Sequence, residues 1–127
     1  MQILLDSHTI IWYINGDPQL SVKAHALVSD NSHERWISPA SIWEIAIKVN
    51  LGKLQLNRSF PDLNIFLSTN NFLWLPIEFE HGVLAGSLPL HHRDPFDRML
   101  IAQALTENLT VVTKDQNFPL YGVETIW

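Results

Sequence analysis

Asp6, Glu44, Asp97 and Asp115, with Asp94 close by, are the side chains whose type and placement could do chemistry together. Asp6 follows the apolar run Ile3-Leu4-Leu5, and Asp115 follows Val111-Val112-Thr113-Lys114. In open parallel α/β sheets, ligands collect beyond the carboxyl ends of the strands, so a shared sheet edge would unite residues from opposite ends of the chain. Oxygen ligands of this kind select hard cations such as Mg²⁺ or Mn²⁺ over zinc or copper. The chemistry that suits them is phosphoryl transfer: bound ions orient a phosphate, lower the pKa of an attacking water and stabilise the leaving oxygen.

Each acid also has an ordinary structural reading. Asp6 suits the cap of a following helix and Asp115 the start of a turn, and for each alone the two readings weigh equally. Asp94-Pro95-Phe96-Asp97 is an excellent helix opening, which by itself explains Asp94 as the N-cap. Asp97 is harder to explain that way. Ile101, Ala104 and Leu105 continue its stripe along the helix and turn its carboxylate toward the protein, where an acid needs partners or a metal. Glu44 is the only acid in Ala40-Ser41-Ile42-Trp43-Glu44-Ile45-Ala46-Ile47, and taken alone it reads as a surface pair with Lys48.

Arg93, Arg98, Lys114 and the Ser7 hydroxyl are the candidate contacts to a substrate phosphate, as are His91 and His92 in the loop beside them. The alternative is that Arg98 and Lys114 are solvated surface charges and the two histidines an ordinary loop. There is no His-Glu-x-x-His, no phosphate-binding glycine loop and no Gly-x-Gly-x-x-Gly. Trp12, Tyr13 and Trp43 fall in helical stretches, so packing is the first reading for them and an interface the second.

The elements that must position these groups alternate between strand and helix. Gln2 to Leu5 reads as a buried strand, Thr9 to Ile14 as a helix, Ser21 to Val28 as a second helix and Arg35 to Ile37 as a strand. Ser38-Pro39 starts a helix with Ile42, Ile45, Ala46 and Val49 on one face, closed by Gly52. Pro61 to Ser68 and Glu78 to Ala85 look helical, with the strand Phe72 to Pro76 between them. The Asp94 helix runs to about Glu107, then come the strand Thr110 to Thr113 and an edge strand from Val123 to Trp127. This order predicts one continuous α/β domain over residues 1 to 127, with a mainly parallel central sheet, helices on both faces and right-handed crossovers.

Composition narrows the class. With 46% hydrophobic and 17% charged residues, the 127-residue chain is expected to fold alone or with a copy of itself. The absence of cysteine excludes disulfides, thiolate-bound zinc, iron–sulfur clusters and a cysteine nucleophile. The opening residues lack the basic start of a signal peptide and no apolar run approaches a membrane span, so a cytoplasmic location is the expectation. A net charge of −5 argues against a broad basic face for nucleic acid, yet suits a site that gathers acids to hold cations.

Five segments, in order over nearly the whole chain, carry a resemblance. They are Leu4-Leu5-Asp6-Ser7-His8, Ser41 to Lys48, Leu51-Gly52-Lys53-Leu54, His92 to Ala104, and Thr113-Lys114-Asp115. Together the sequence resembles the PIN domain, in the branch of VapC-like toxins. The resemblance implies a three-layer α/β/α fold and a catalytic, metal-binding set of Asp6, Glu44, Asp97 and Asp115, with Asp94 as cap, metal support or both. It also implies Mg²⁺ or Mn²⁺, cleavage of RNA by water, a homodimer and often a small antitoxin that blocks the site. Ser7 stands where relatives commonly carry Thr, and a hydroxyl is retained.

Two rivals are weaker. A phosphorelay receiver needs an acceptor Asp at the end of a central strand, and Phe72 to Ile77 ends in Glu78 with no Asp nearby. A catalytically silent binding module is disfavoured because all four acids are present. A PIN nuclease of RNA processing, with no toxin role, stays open at the level of sequence.

Overall fold

A computed structural model describes all 127 residues. At its centre is the strand β1 (Gln2–Leu5), which is buried on both faces. Ile3 and Leu5 enter one apolar core and Leu4 the other, following the two-residue period of a strand. Such a strand needs a layer on each side, and parallel neighbours with helical crossovers supply both. The partners are β2 (Glu34–Ile37), β3 (Leu73–Trp74), β4 (Thr110–Val112) and β5 (Thr125–Ile126). They form one all-parallel sheet in the order β3-β2-β1-β4-β5. The α/β fold with a parallel central sheet is as the sequence predicts.

The helices are α1 (Ser7–Asn15), α2 (Val22–Ser29), α3 (Pro39–Asn50), α4 (Phe60–Thr69), α5 (Phe79–Ser87) and α6 (Pro95–Glu107). One core takes Ile10, Ile11 and Ile14 of α1, Val28 of α2, Ile45 of α3 and Leu63 and Leu67 of α4. The opposite core takes Leu100, Ile101 and Ala104 of α6, with Val111 of β4 and Phe118. α5 lies against α6. No helix is long and apolar enough to cross a membrane.

Local chemistry accounts for the boundaries. α1 starts at Ser7, earlier than the apolar pattern alone suggests, because the Asp6 carboxylate caps it by accepting from Thr9 N–H at 2.8 Å. β3 is shorter than the apolar run around it. The Phe72 N–H is taken by the Leu67 carbonyl at the end of α4, and Pro76 has no N–H to offer. At the head of α6, Asp94 Oδ1 accepts from Phe96 N–H (2.8 Å) and Asp97 N–H (3.3 Å), and Pro95 occupies the first turn.

The strand order also places the site. β2 and β4 flank β1 on opposite sides, so the chain reverses direction across the sheet between β1 and β4. A crevice opens beyond strand ends at such a switch point.

Candidate metal centre

Leu5 pairs with Val112, which sets Asp6 beside Thr113 at the carboxyl ends of the two central strands. Asp6 is 4% exposed, and its second oxygen, Oδ2, accepts from the Thr113 hydroxyl at 2.5 Å. Cap and site are therefore not alternatives for Asp6: one oxygen closes the helix while the other faces β4. Burial raises its pKa, against the hydrogen bonds from Thr113 and Thr9. The same Thr113 hydroxyl accepts from Asp115 N–H at 3.0 Å, so one side chain orients both strand-end acids.

Asp97 enters from the first turn of α6. Its side chain is 17% exposed, and its pKa is pushed up to about 8. Burial is the largest cause, followed by the negative charges of Asp94, Glu44, Asp6 and Asp115. All the acids singled out in the sequence thus act on this one carboxylate. Asp115 Oδ2 and Asp97 Oδ2 both lie against His92 Nε2, at 2.8 and 2.9 Å. One ligand atom from each of His92, Asp97 and Asp115 falls within 4.8 Å of the others.

Glu44 projects from α3, where its apolar neighbours set the helix against the sheet. It keeps the pair with Lys48, at 3.2 Å, but it is not a surface residue: it is 6% exposed and accepts from the buried Ser7 hydroxyl at 2.6 Å. Lys48 is the only Lys or Arg paired with any of the five acids.

The basic candidates separate. Arg93 and Lys114 are exposed; Arg93 lines a groove with Glu44 and Asp94, and Lys114 lines a cleft with Asp6, His8, Trp12 and Asp115. Arg98 is committed elsewhere. Its guanidinium donates to the carbonyls of Ala85, Leu88, Pro89 and His92, at 2.8 to 3.2 Å, which braces the loop before α6 and leaves little to offer a phosphate. Ser7 is buried with its hydroxyl directed at Glu44, so it orients an acid rather than facing solvent.

In the sequence Thr113 reads only as the end of a strand, and His92 as a loop residue or phosphate contact and not as a group seated between two carboxylates. A hydroxyl two positions before a strand-end Asp is a signal for the first. Nothing local marks the second, because its partners lie on two other elements.

The donor set fits a hard divalent cation. Several acids share one cleft in which Lys48 is the only paired Lys or Arg, and their negative charges add to burial in raising the pKa of Asp97, an imbalance that a bound cation would relieve.

Comparison with known proteins agrees with this architecture. No curated protein matches the sequence. Among solved structures, the chain is similar to VapBC2 from Rickettsia felis bound to a DNA fragment from their promoter: TM-score 0.72, 19% identity, covering 99% of this chain and 98% of that one. It is also similar to FitAcB from Neisseria gonorrhoeae, with TM-score 0.69 and 19% identity over 98% of this chain and 96% of the other. DNA-bound VapBC from Salmonella typhimurium gives TM-score 0.68 and 18% identity, over 99% and 97%. At these identities the likeness establishes the fold. The family follows from the sequence itself, since the PIN domain model matches residues 3–123, and on that match the chain belongs to the PIN domain family.

Proposed function

We propose that this chain is a Mg²⁺- or Mn²⁺-dependent endoribonuclease and the toxin of a toxin–antitoxin pair. The observation that carries the nuclease reading is the convergence of Asp6, Glu44, Asp94 and Asp115 on Asp97 at the switch point between β1 and β4. Asp6, Glu44, Asp97 and Asp115 would hold the cation. Asp94 supports them by capping the helix that carries Asp97. When bound, the cation supplies a more acidic water and stabilises charge on the phosphate.

The chain's own groups do the positioning. Thr113 aims Asp6 and Asp115, and Ser7 aims Glu44. Arg93 and Lys114, exposed on two sides of the acids, are placed to take the phosphates of an RNA strand crossing the cleft. Ile47, Leu51, Pro95 and Phe96 line a groove beside Glu44 and Asp94. That groove suits an antitoxin that lays an apolar segment in it and offers a basic group to the acids. The similar solved structures are themselves VapBC and FitAcB complexes. The working form is a cytoplasmic homodimer.

Purified protein is expected to cleave RNA with Mn²⁺ and to stop on chelation, and Asp97→Asn is expected to stay folded and inactive. Wild-type protein that binds Mn²⁺ yet cleaves no RNA would be a silent binding module. For the toxin role, the chain is expressed with and without its upstream neighbour. Growth arrest relieved by a small neighbouring protein supports it, and no arrest points to RNA processing instead.

A further inference from the structure

The loop before α6 is built around one imidazole. The Tyr121 hydroxyl accepts from the N–H groups of His91 (2.9 Å) and His92 (2.7 Å) and donates to the Pro89 carbonyl (2.7 Å). Arg98 gathers four carbonyls of the same region, and the His92 ring meets Phe118 edge-on at 6.2 Å. His92 is thereby held with its side chain 14% exposed, at the mouth of the acid cluster.

The tautomer follows from the backbone. His92 Nδ1 accepts from Asp94 N–H at 3.2 Å, so the proton of the neutral ring sits on Nε2. Nε2 donates to Asp115 Oδ2 at 2.8 Å and stands 2.9 Å from Asp97 Oδ2. The ring thus presents a donor to the carboxylates, where a metal ligand would present a lone pair. A cation held by Asp97 and Asp115 would need the carboxylate oxygens that the Nε2–H now lies against, so the two would compete for them.

We propose that His92 is a positioning residue that competes with the cation: its Nε2–H holds Asp97 and Asp115 in place in the metal-free protein, and cation binding makes it release them. This rests on the acid cluster being a metal centre. A placeholder of this kind keeps like charges assembled before the ion arrives, and it lowers the affinity for the ion by the strength of the contact it gives up.

The test is Mn²⁺ titration by electron paramagnetic resonance at one fixed pH, on wild type, His92→Ala, Tyr121→Phe and Asp97→Asn. His92→Ala is expected to bind Mn²⁺ about two- to tenfold more tightly, the equivalent of one net hydrogen bond. Tyr121→Phe, which loosens the loop outside the cluster, shifts Kd the same way by less. The wild-type Mn²⁺ complex shows no imidazole nitrogen coupling in pulsed spectra. Unchanged or weaker binding in His92→Ala, or a nitrogen coupling in wild type, overturns the proposal and leaves the metal centre standing. If His92→Ala does not fold, Tyr121→Phe and the nitrogen coupling decide. Absent Mn²⁺ binding, or binding unaffected by Asp97→Asn, removes the metal centre and the proposal with it.

Discussion

Two buried charged regions of this protein are handled in opposite ways. Arg35 on β2 is 1% exposed, yet its guanidinium is largely provided for: Nε alone lacks a partner, while the terminal nitrogens donate to the Val28 carbonyl at 2.7 Å, to Asn31 Oδ1 at 2.9 Å and to the Asn70 carbonyl, and the group stacks on Phe72 at 4.1 Å. Burial lowers its pKa, but a guanidinium stays charged at any working pH. At the β1 and β4 ends Asp6 and Glu44 also have internal hydrogen bonds, but the charges of Asp94, Glu44, Asp6 and Asp115 all bear on Asp97, and no Lys or Arg pairs with it. A buried charge whose partners are all internal ties loops to a core. A buried charge cluster with too few partners is built for something that comes from outside.

The strongest way to break the contrast is Asp97→Asn. Loss of cleavage should be at least about a hundredfold, since even the outer partners of metal ligands cost about ten- to a hundredfold. Measured kcat/KM on an RNA oligonucleotide checks it, and a residual rate near wild type would place the metal elsewhere. The matching blow to the other region is Arg35→Ala. It strands three acceptors and empties the space over Phe72, and it should cost about 3 kcal/mol or more in urea unfolding. Mn²⁺ affinity of the folded fraction should not change.

pH sharpens the comparison further. Asp97 has an ordinary value of 3.8 and a folded value of about 8, so across that window the folded chain binds more protons than the unfolded one. Metal-free stability therefore falls as pH rises from about 4 to about 8, with Asp6 acting in the same direction. Thermal melts at several pH values should show this slope, Mn²⁺ should restore stability most at the alkaline end, and Asp97→Asn should flatten the slope. A smaller effect is expected from Thr113→Val, which keeps the shape and deletes the hydroxyl shared by Asp6 and Asp115. Its kcat/KM should drop about tenfold, with stability changed by about 1 kcal/mol.

Much of this was legible in the chain because it is local. Ser38-Pro39 and Asp94-Pro95 mark helix starts, since a side-chain oxygen reaches an N–H only two or three residues on. The apolar runs ending at Asp6 and before Asp115 mark strand ends, and two strand ends in a parallel α/β sheet imply a shared crevice. Glu44 was less legible, because Lys48 at the next turn gives it a sufficient local partner. Only the packing of α3 against α1 and α6 buries it and turns it toward Ser7.

The sequence by itself therefore determined the α/β alternation, the caps and the identity of the acids. The tertiary structure decided which of them share one electrostatic site, that Arg98 braces a loop, and that His92 stands between Asp97 and Asp115. The reason is range: caps and periodicity act within one turn of the chain, whereas desolvation and charge repulsion depend on groups brought together from β1, α3, α6 and the end of β4.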